Sequence, residues 1–443
     1  MRRLLSAPAI LLLAGCGPPK VWTGLSPDHG TRYDVSRRAG ATCVRIQTRV
    51  AGCYDAVALS AIVFSPDSRS IAYPARVDGR WHVVRDGRFG PPVDEVGALV
   101  PGATGRLAYE ARLGDAWYVV SDDRFSAPFD SVIEGSITFD PEGRRLAYAA
   151  LRDARALVFV DGRPIASHDG VERLRFSPGG GPLASVAREG STVSLRVGGY
   201  ASPAHDAIPE YGVGPGGEVA YIARGADAWW VVGPDGRWGP FLAAHSLYFE
   251  GPGSLTFVAR ADGGERVFHR GTPGAFYGEI EPPVVVAGGR HWGYVGHDSV
   301  RSVVVLDGLR HSDHEWAGDL ALDAAGRRFA FVSRRNDSTY VVDDRGAHAF
   351  DLVVDGTLQF TSTGCWAGLV GRWHDRSLFV VVEGNKEARR FDWWEFTGVV
   401  LDGPFPRAEE PGTARLLRSW VAAEAELIVR SGGGEGSQAG PCG

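Results

Sequence analysis

The sequence predicts an all-β protein, a β-propeller of four-stranded antiparallel blades with about 37 residues per unit. Three observations carry that prediction. A ten-residue phrase recurs along most of the chain. A second phrase, an apolar strand closed by a tight turn, follows each copy. The 60 glycines supply the many turns such a chain requires.

The best copy of the first phrase is Phe64-Ser65-Pro66-Asp67-Ser68-Arg69-Ser70-Ile71-Ala72-Tyr73. Others begin at Phe139 and Leu322, with weaker copies at Val100, Phe176, Val213, Phe249, Val286 and Phe360. The nine starts lie 36 to 39 residues apart. Copies of the second phrase include Trp81-His82-Val83-Val84-Arg85-Asp86-Gly87, Leu157-Val158-Phe159-Val160-Asp161-Gly162 and Val303-Val304-Val305-Leu306-Asp307-Gly308. Aromatic and β-branched runs ending in Asp-Gly signal hairpins. Each unit thus reads as strand A, a Pro-Asp or Gly turn, strand B, strand C, an Asp-Gly turn and strand D. One such unit cannot bury both its faces, so neighbours must stack. Nine units, or ten with a partial one, leave one large ring and two unequal rings both open.

The phrase Phe64–Tyr73 and the link Val93-Asp94-Glu95-Val96 resemble the repeat of TolB-like and WD-repeat-like bacterial propellers over about residues 43 to 397. The resemblance implies fold and says almost nothing about activity.

Taken in order, the chain opens Met1-Arg2-Arg3 and continues with a short apolar run to Leu13, the layout of a secretory signal over residues 1–15. Leu13-Ala14-Gly15-Cys16 resembles the lipobox of bacterial lipoproteins. That resemblance implies cleavage before Cys16, a lipidated Cys16 carrying acyl chains such as palmitate, and attachment to the membrane of the cell envelope. Gly17 follows where the inner-membrane retention signal would place Asp, which favours the outer membrane. The alternatives are an ordinary signal peptide with a chance cysteine, or an apolar start that is not translocated. Residues 16–40 are expected to be a tether, 41–400 the propeller, and 401–443 a C-terminal helix and Gly-rich tail. Cys43 to Val57 reads as a C–D pair lacking its own A and B strands, with Thr397–Leu401 a candidate A strand to complete it. Leu416, Leu417, Trp420, Val421, Ala423, Leu427 and Ile428 follow helical spacing over 413–429, although 426–429 also reads as a closing strand.

With Cys16 set aside, Cys43, Cys53, Cys365 and Cys442 remain. Cys43 and Cys53 flank a hairpin and are expected to pair across it; Cys365 with Cys442 would then pin the tail. Free thiols are the alternative. No two cysteines have CxxC spacing, so no metal is expected. A net charge of −6 argues against a nucleic-acid binder.

Two charged sets repeat. Arg76, Arg112, Arg188, Arg224, Arg260, Arg334 and Arg372 follow the strand-B anchor; Arg152 is one place off and His297 substitutes once. Asp94, Asp130, Asp169 and Asp206 lie in the D–A links, with Asp55, Asp351 and Asp392 as approximate equivalents. A residue repeated in nearly every blade serves the blade, and these sets are expected to pair with each other and tie neighbouring blades. Irregular positions are better binding candidates. They are His311 and His314, which strand alternation would point to opposite faces, and the aromatic positions Trp373, His374, Trp393 and Trp394. No nucleophile elbow, phosphate loop or zinc-protease motif occurs, so no catalytic residue and no cofactor is assigned. The expected function is a non-enzymatic binding or scaffolding propeller for an envelope protein or glycan. The alternative is a glycan-active hydrolase or lyase working in the propeller channel.

Overall fold

The computed structural model describes residues 21–27, 30–38, 40–249, 251–336, 338–372, 377–383, 386–392, 399–400 and 407–408. Among them lie ten antiparallel sheets, each with four strands in chain order A-B-C-D. We number them blades 1 to 10: residues 21–54, 56–89, 95–125, 131–168, 170–201, 207–241, 243–273, 279–314, 316–350 and 352–392. In blades 2, 4, 8 and 10 strand A is split into two short pieces. The chain is an all-β propeller.

Several blades share the same local turn chemistry. In blades 2, 4 and 8 the C–D turn is an Asp-Gly pair with both residues in the left-handed region, as in Asp161 (φ 51°) and Gly162 (φ 75°). That is the hairpin turn whose twist matches the strands. Its aspartate does a second job: Asp86, Asp161 and Asp307 each accept an N–H at the start of strand B, from Ile71, Leu146 and Trp292, at 2.9 Å. The A–B turn is closed by Ser65, whose hydroxyl accepts the Ser70 N–H at 3.0 Å, or by Asp140, which accepts the Arg144 and Arg145 amides.

The anchor of strand B forms the core. Tyr73, Tyr109, Tyr148, Tyr221, Phe257, Tyr294 and Phe331 recur at the repeat spacing, and all are essentially buried. Burying each such ring contributes roughly 1.5–3 kcal/mol. Consecutive blades then share mixed clusters; Ala108 and Val119 of blade 3 pack with Leu146, Tyr148 and Phe159 of blade 4. The alternating direction of the strands puts the A–B and C–D turns on one face and the B–C turns and D–A links on the other.

Three expectations are corrected. The tether over 16–40 is too long, because Val21–Leu25 and Arg32–Arg38 are strands A and B of blade 1. The half blade is therefore whole. Val399–Val400 pairs with Arg407–Ala408, and does not supply strand A of blade 1. Residues 1–15, Cys16, Cys442 and the 413–429 segment lie outside the described residues. Cys43 and Cys53 face each other across strands C and D of blade 1 and form a disulfide. Cys365 is also disulfide-bonded.

Candidate functional site

The aspartates of the D–A links serve their own blade. Asp94, Asp130 and Asp169 accept the N–H of Gly114, Asp153 and Gly190 at 2.8, 2.9 and 2.7 Å, which caps the B–C turn. Glu315 does the same for Asn336 in blade 9. The strand-B arginines mostly find glutamates: Arg112 pairs with Glu95, Arg188 with Glu172, and Arg260 with Glu265 at 2.9 Å. Arg334 pairs with Asp355 of blade 10 and lies over the Trp316 ring. Arg152 and Arg372 sit over Phe129 and Phe379. The expected pairing of the two repeated sets is thus wrong in its partners. The aspartates do tie blades, but through strand-C arginines, as in Arg80–Asp94 at 3.2 Å and Arg155–Asp169.

His311 and His314 do not point to opposite faces. Strand D of blade 8 (Leu309–His314) carries a β-bulge, with Ser312 opposite Val304 and Arg310 opposite Val305. His311 is the extra residue, and an inserted residue resets the alternation. Both rings therefore pack on strand B of blade 9, His311 on Phe329 and His314 on Phe331. Both nitrogens of His314 are engaged, with Ser333 at 2.9 Å and Ser312 at 2.8 Å. Burial, helped by His311, holds its pKa below the usual imidazole range. Its lone pair is committed within the fold, and no group of three His, Cys, Asp or Glu among the described residues has the arrangement of a metal site. Trp373, His374, Trp393 and Trp394 lie outside the described residues.

Two features escaped the sequence reading. The first is a row of carboxylates on the inner strands. Glu210 accepts the Ser246 and Leu247 amides of the next blade at 3.0 and 2.7 Å. Glu281 accepts the Asp319 amide, and Asp319 accepts the Leu358 amide. Strand A bulges at Ser246 and Asp319, both with φ above 50°, and the bulge turns amides toward the preceding blade. These acids hold blade to blade. Glu110 differs: no hydrogen bond or ion pair engages it among the described residues, and burial, with Glu134 nearby, pushes its pKa up to about 7.

The second feature is the outer rim. In blades 1 to 4, strand D opens on an exposed arginine followed by an exposed apolar residue: Arg49-Val50, Arg88-Phe89, Arg124-Phe125 and Arg163 with Ile165. Phe89 is 54% exposed although its ring edges meet His82 and Tyr54. The four arginines make no ion pair among the described residues. The signal for both features was present as spacing. It was masked because the strand-D arginine is missing from blades 5 and 7 and the acids shift by one place at each bulge.

No protein-family model matches the chain, and no curated protein matches it. Solved structures similar to it include the Dos1 propeller (13% identity, 61% of this chain and 88% of that one, TM-score 0.32). They also include dipeptidyl peptidase 4 of Porphyromonas gingivalis (13%, 70% and 64%, TM-score 0.36) and TolB of Acinetobacter baumannii (12%, 72% and 65%, TM-score 0.23). At such identities and TM-scores these likenesses carry no argument about activity or ligand. The propeller assignment rests on the blades themselves.

Proposed function

We propose that the chain is a cell-envelope lipoprotein, anchored through Cys16, whose propeller is a non-enzymatic docking platform for a protein partner. The observation that carries this reading is the outer rim of blades 1 to 4. Edge strands are commonly protected by charge, which accounts for arginine but not for a phenylalanine left more than half exposed beside it. Arginine and aromatic residues are the side chains that dominate binding energy at protein interfaces. Four copies on successive blades offer an extended contact, and the unpaired guanidiniums favour a partner with acidic residues opposite them.

A photo-crosslinking residue in place of Phe89 or Phe125 in the intact envelope tests this. A discrete protein adduct is expected, lost when Arg88→Glu and Arg124→Glu are combined. The absence of any adduct, or one indifferent to the charge reversal, contradicts the proposal. One observation favours a second reading, a glycan-active hydrolase or lyase: Glu110 combines burial, a neighbouring Glu134 and a pKa suited to a general acid. Glycan cleavage abolished by Glu110→Gln would favour that reading.

A further inference from the structure

The repeat is broken on the B–C and D–A face of blades 7 and 8. At the position of the capping aspartate, blade 7 has Leu242 and blade 8 has Gly278. In blade 7 the backbone is unchanged, the Leu242 N–H still donating to the Arg260 carbonyl as Asp94 does to Arg112, whereas in blade 8 the Gly278 N–H donates to the Asp298 carboxylate at 3.3 Å. The Leu242 side chain has turned from a cap into an apolar group 62% exposed. Two more apolar residues crowd the same face of these blades. Val300, in the B–C turn of blade 8, is 78% exposed; Phe276, in the link between the blades, is 41% exposed and packs on Gly263 and under Arg266.

The tether leaves from this same face. Val21 opens strand A of blade 1 opposite Ser36, near the B–C end of strand B. Five residue steps separate Cys16 from Val21 and span at most about 17 Å. Strand B of blade 1 has seven residues, so the opposite face lies roughly 23 Å away. A bilayer holding the lipid on Cys16 therefore meets the B–C face first.

From the broken repeat and the origin of the tether, we infer that the B–C and D–A face of blades 7 and 8 rests on the lipid surface, with Leu242, Phe276 and Val300 inserted among the headgroups. This rests on the lipid-anchor reading above. Apolar side chains on a membrane-bound surface settle about 5–10 Å into the headgroup boundary. The contact holds the B–C face of these blades against the membrane and turns their C–D ends outward.

The test uses the full lipidated chain in vesicles of phosphatidylethanolamine and phosphatidylglycerol, with an environment-sensitive fluorophore on Val300→Cys or Leu242→Cys. The control position is Arg69→Cys, in the A–B turn of blade 2 on the opposite face. Quenching by nitroxide-bearing lipid is expected to be several-fold stronger at 300 and 242 than at 69. Equal quenching at all three sites, or stronger quenching at 69, overturns the inference. Palmitate labelling of the same preparation separates the two failures. Labelled protein with unquenched dye refutes the docking face, while unlabelled protein refutes the anchor.

Discussion

At the scale of single residues, many of the carboxylates of this protein are spent on its own backbone. A B–C turn leaves an amide without a partner, and Asp169 accepts it at 2.7 Å from Gly190. Asp169→Ala should cost about 1 kcal/mol, read as a lower midpoint in urea denaturation. Glu110 behaves in the opposite way. Its ordinary value is 4.5 and burial beside Glu134 raises it to about 7. Between those values the folded chain keeps a proton that the unfolded chain releases, so stability falls as pH rises through that window. Glu110→Gln should remove that fall and leave the variant more stable than wild type above pH 7, measured by thermal midpoints from pH 4.5 to 8. Parallel pH profiles would contradict the burial of Glu110. The repeated Arg and Asp residues were legible in the sequence, but their partners were not. Spacing shows that a carboxylate recurs; it does not show whether a guanidinium or an amide faces it.

At the scale of elements, the hairpin chemistry of blades 2, 4 and 8 was legible. Asp-Gly after an apolar run marked their C–D turns, because few other pairs accept two left-handed residues. Gly162→Ala, at φ 75° with open space around it, should cost roughly 1–2 kcal/mol from backbone strain alone. Blade 1 was the element misread. Its opening phrase Leu25-Ser26-Pro27-Asp28 repeats Phe64-Ser65-Pro66-Asp67, and Ser26 accepts the Thr31 N–H at 2.9 Å as Ser65 accepts that of Ser70. The anchor place, however, is held by Asp34, which pairs with Arg32. Its apolar pattern was broken, so the strand read as tether. The bulge in blade 8 was also invisible. A bulge depends on strand pairing, and nothing in Leu309–His314 marks His311 as the extra residue. The Cys43–Cys53 disulfide closes a short loop within blade 1, and Cys43→Ala with Cys53→Ala should cost about 2–3 kcal/mol. That loss should be confined to the first blade and be seen as early proteolysis near residues 21–54.

At the scale of the whole molecule, ten blades pack in series, and the core is a set of interfaces between neighbours. Tyr33, Val35, Val44 and Tyr54 of blade 1 cover Ile71, Tyr73 and Ala75 of blade 2. At the other end, Arg328 of blade 9 reaches Glu383 of blade 10 at 2.7 Å and Asp344 of its own blade at 2.9 Å. Stability in such an array is close to a sum of unit and interface contributions. A core change such as Trp366→Ala, worth about 3–5 kcal/mol, should therefore destabilise blades 9 and 10 before it affects blades 2 to 5. These ten blades begin at Val21, only a few residues after Cys16. Native-state hydrogen exchange followed by mass spectrometry tests it most directly. Ten maxima of amide protection at the repeat spacing are predicted, the first over Arg32–Arg38. Nine maxima, with residues 21–38 exchanging as fast as an unstructured tether, would contradict it.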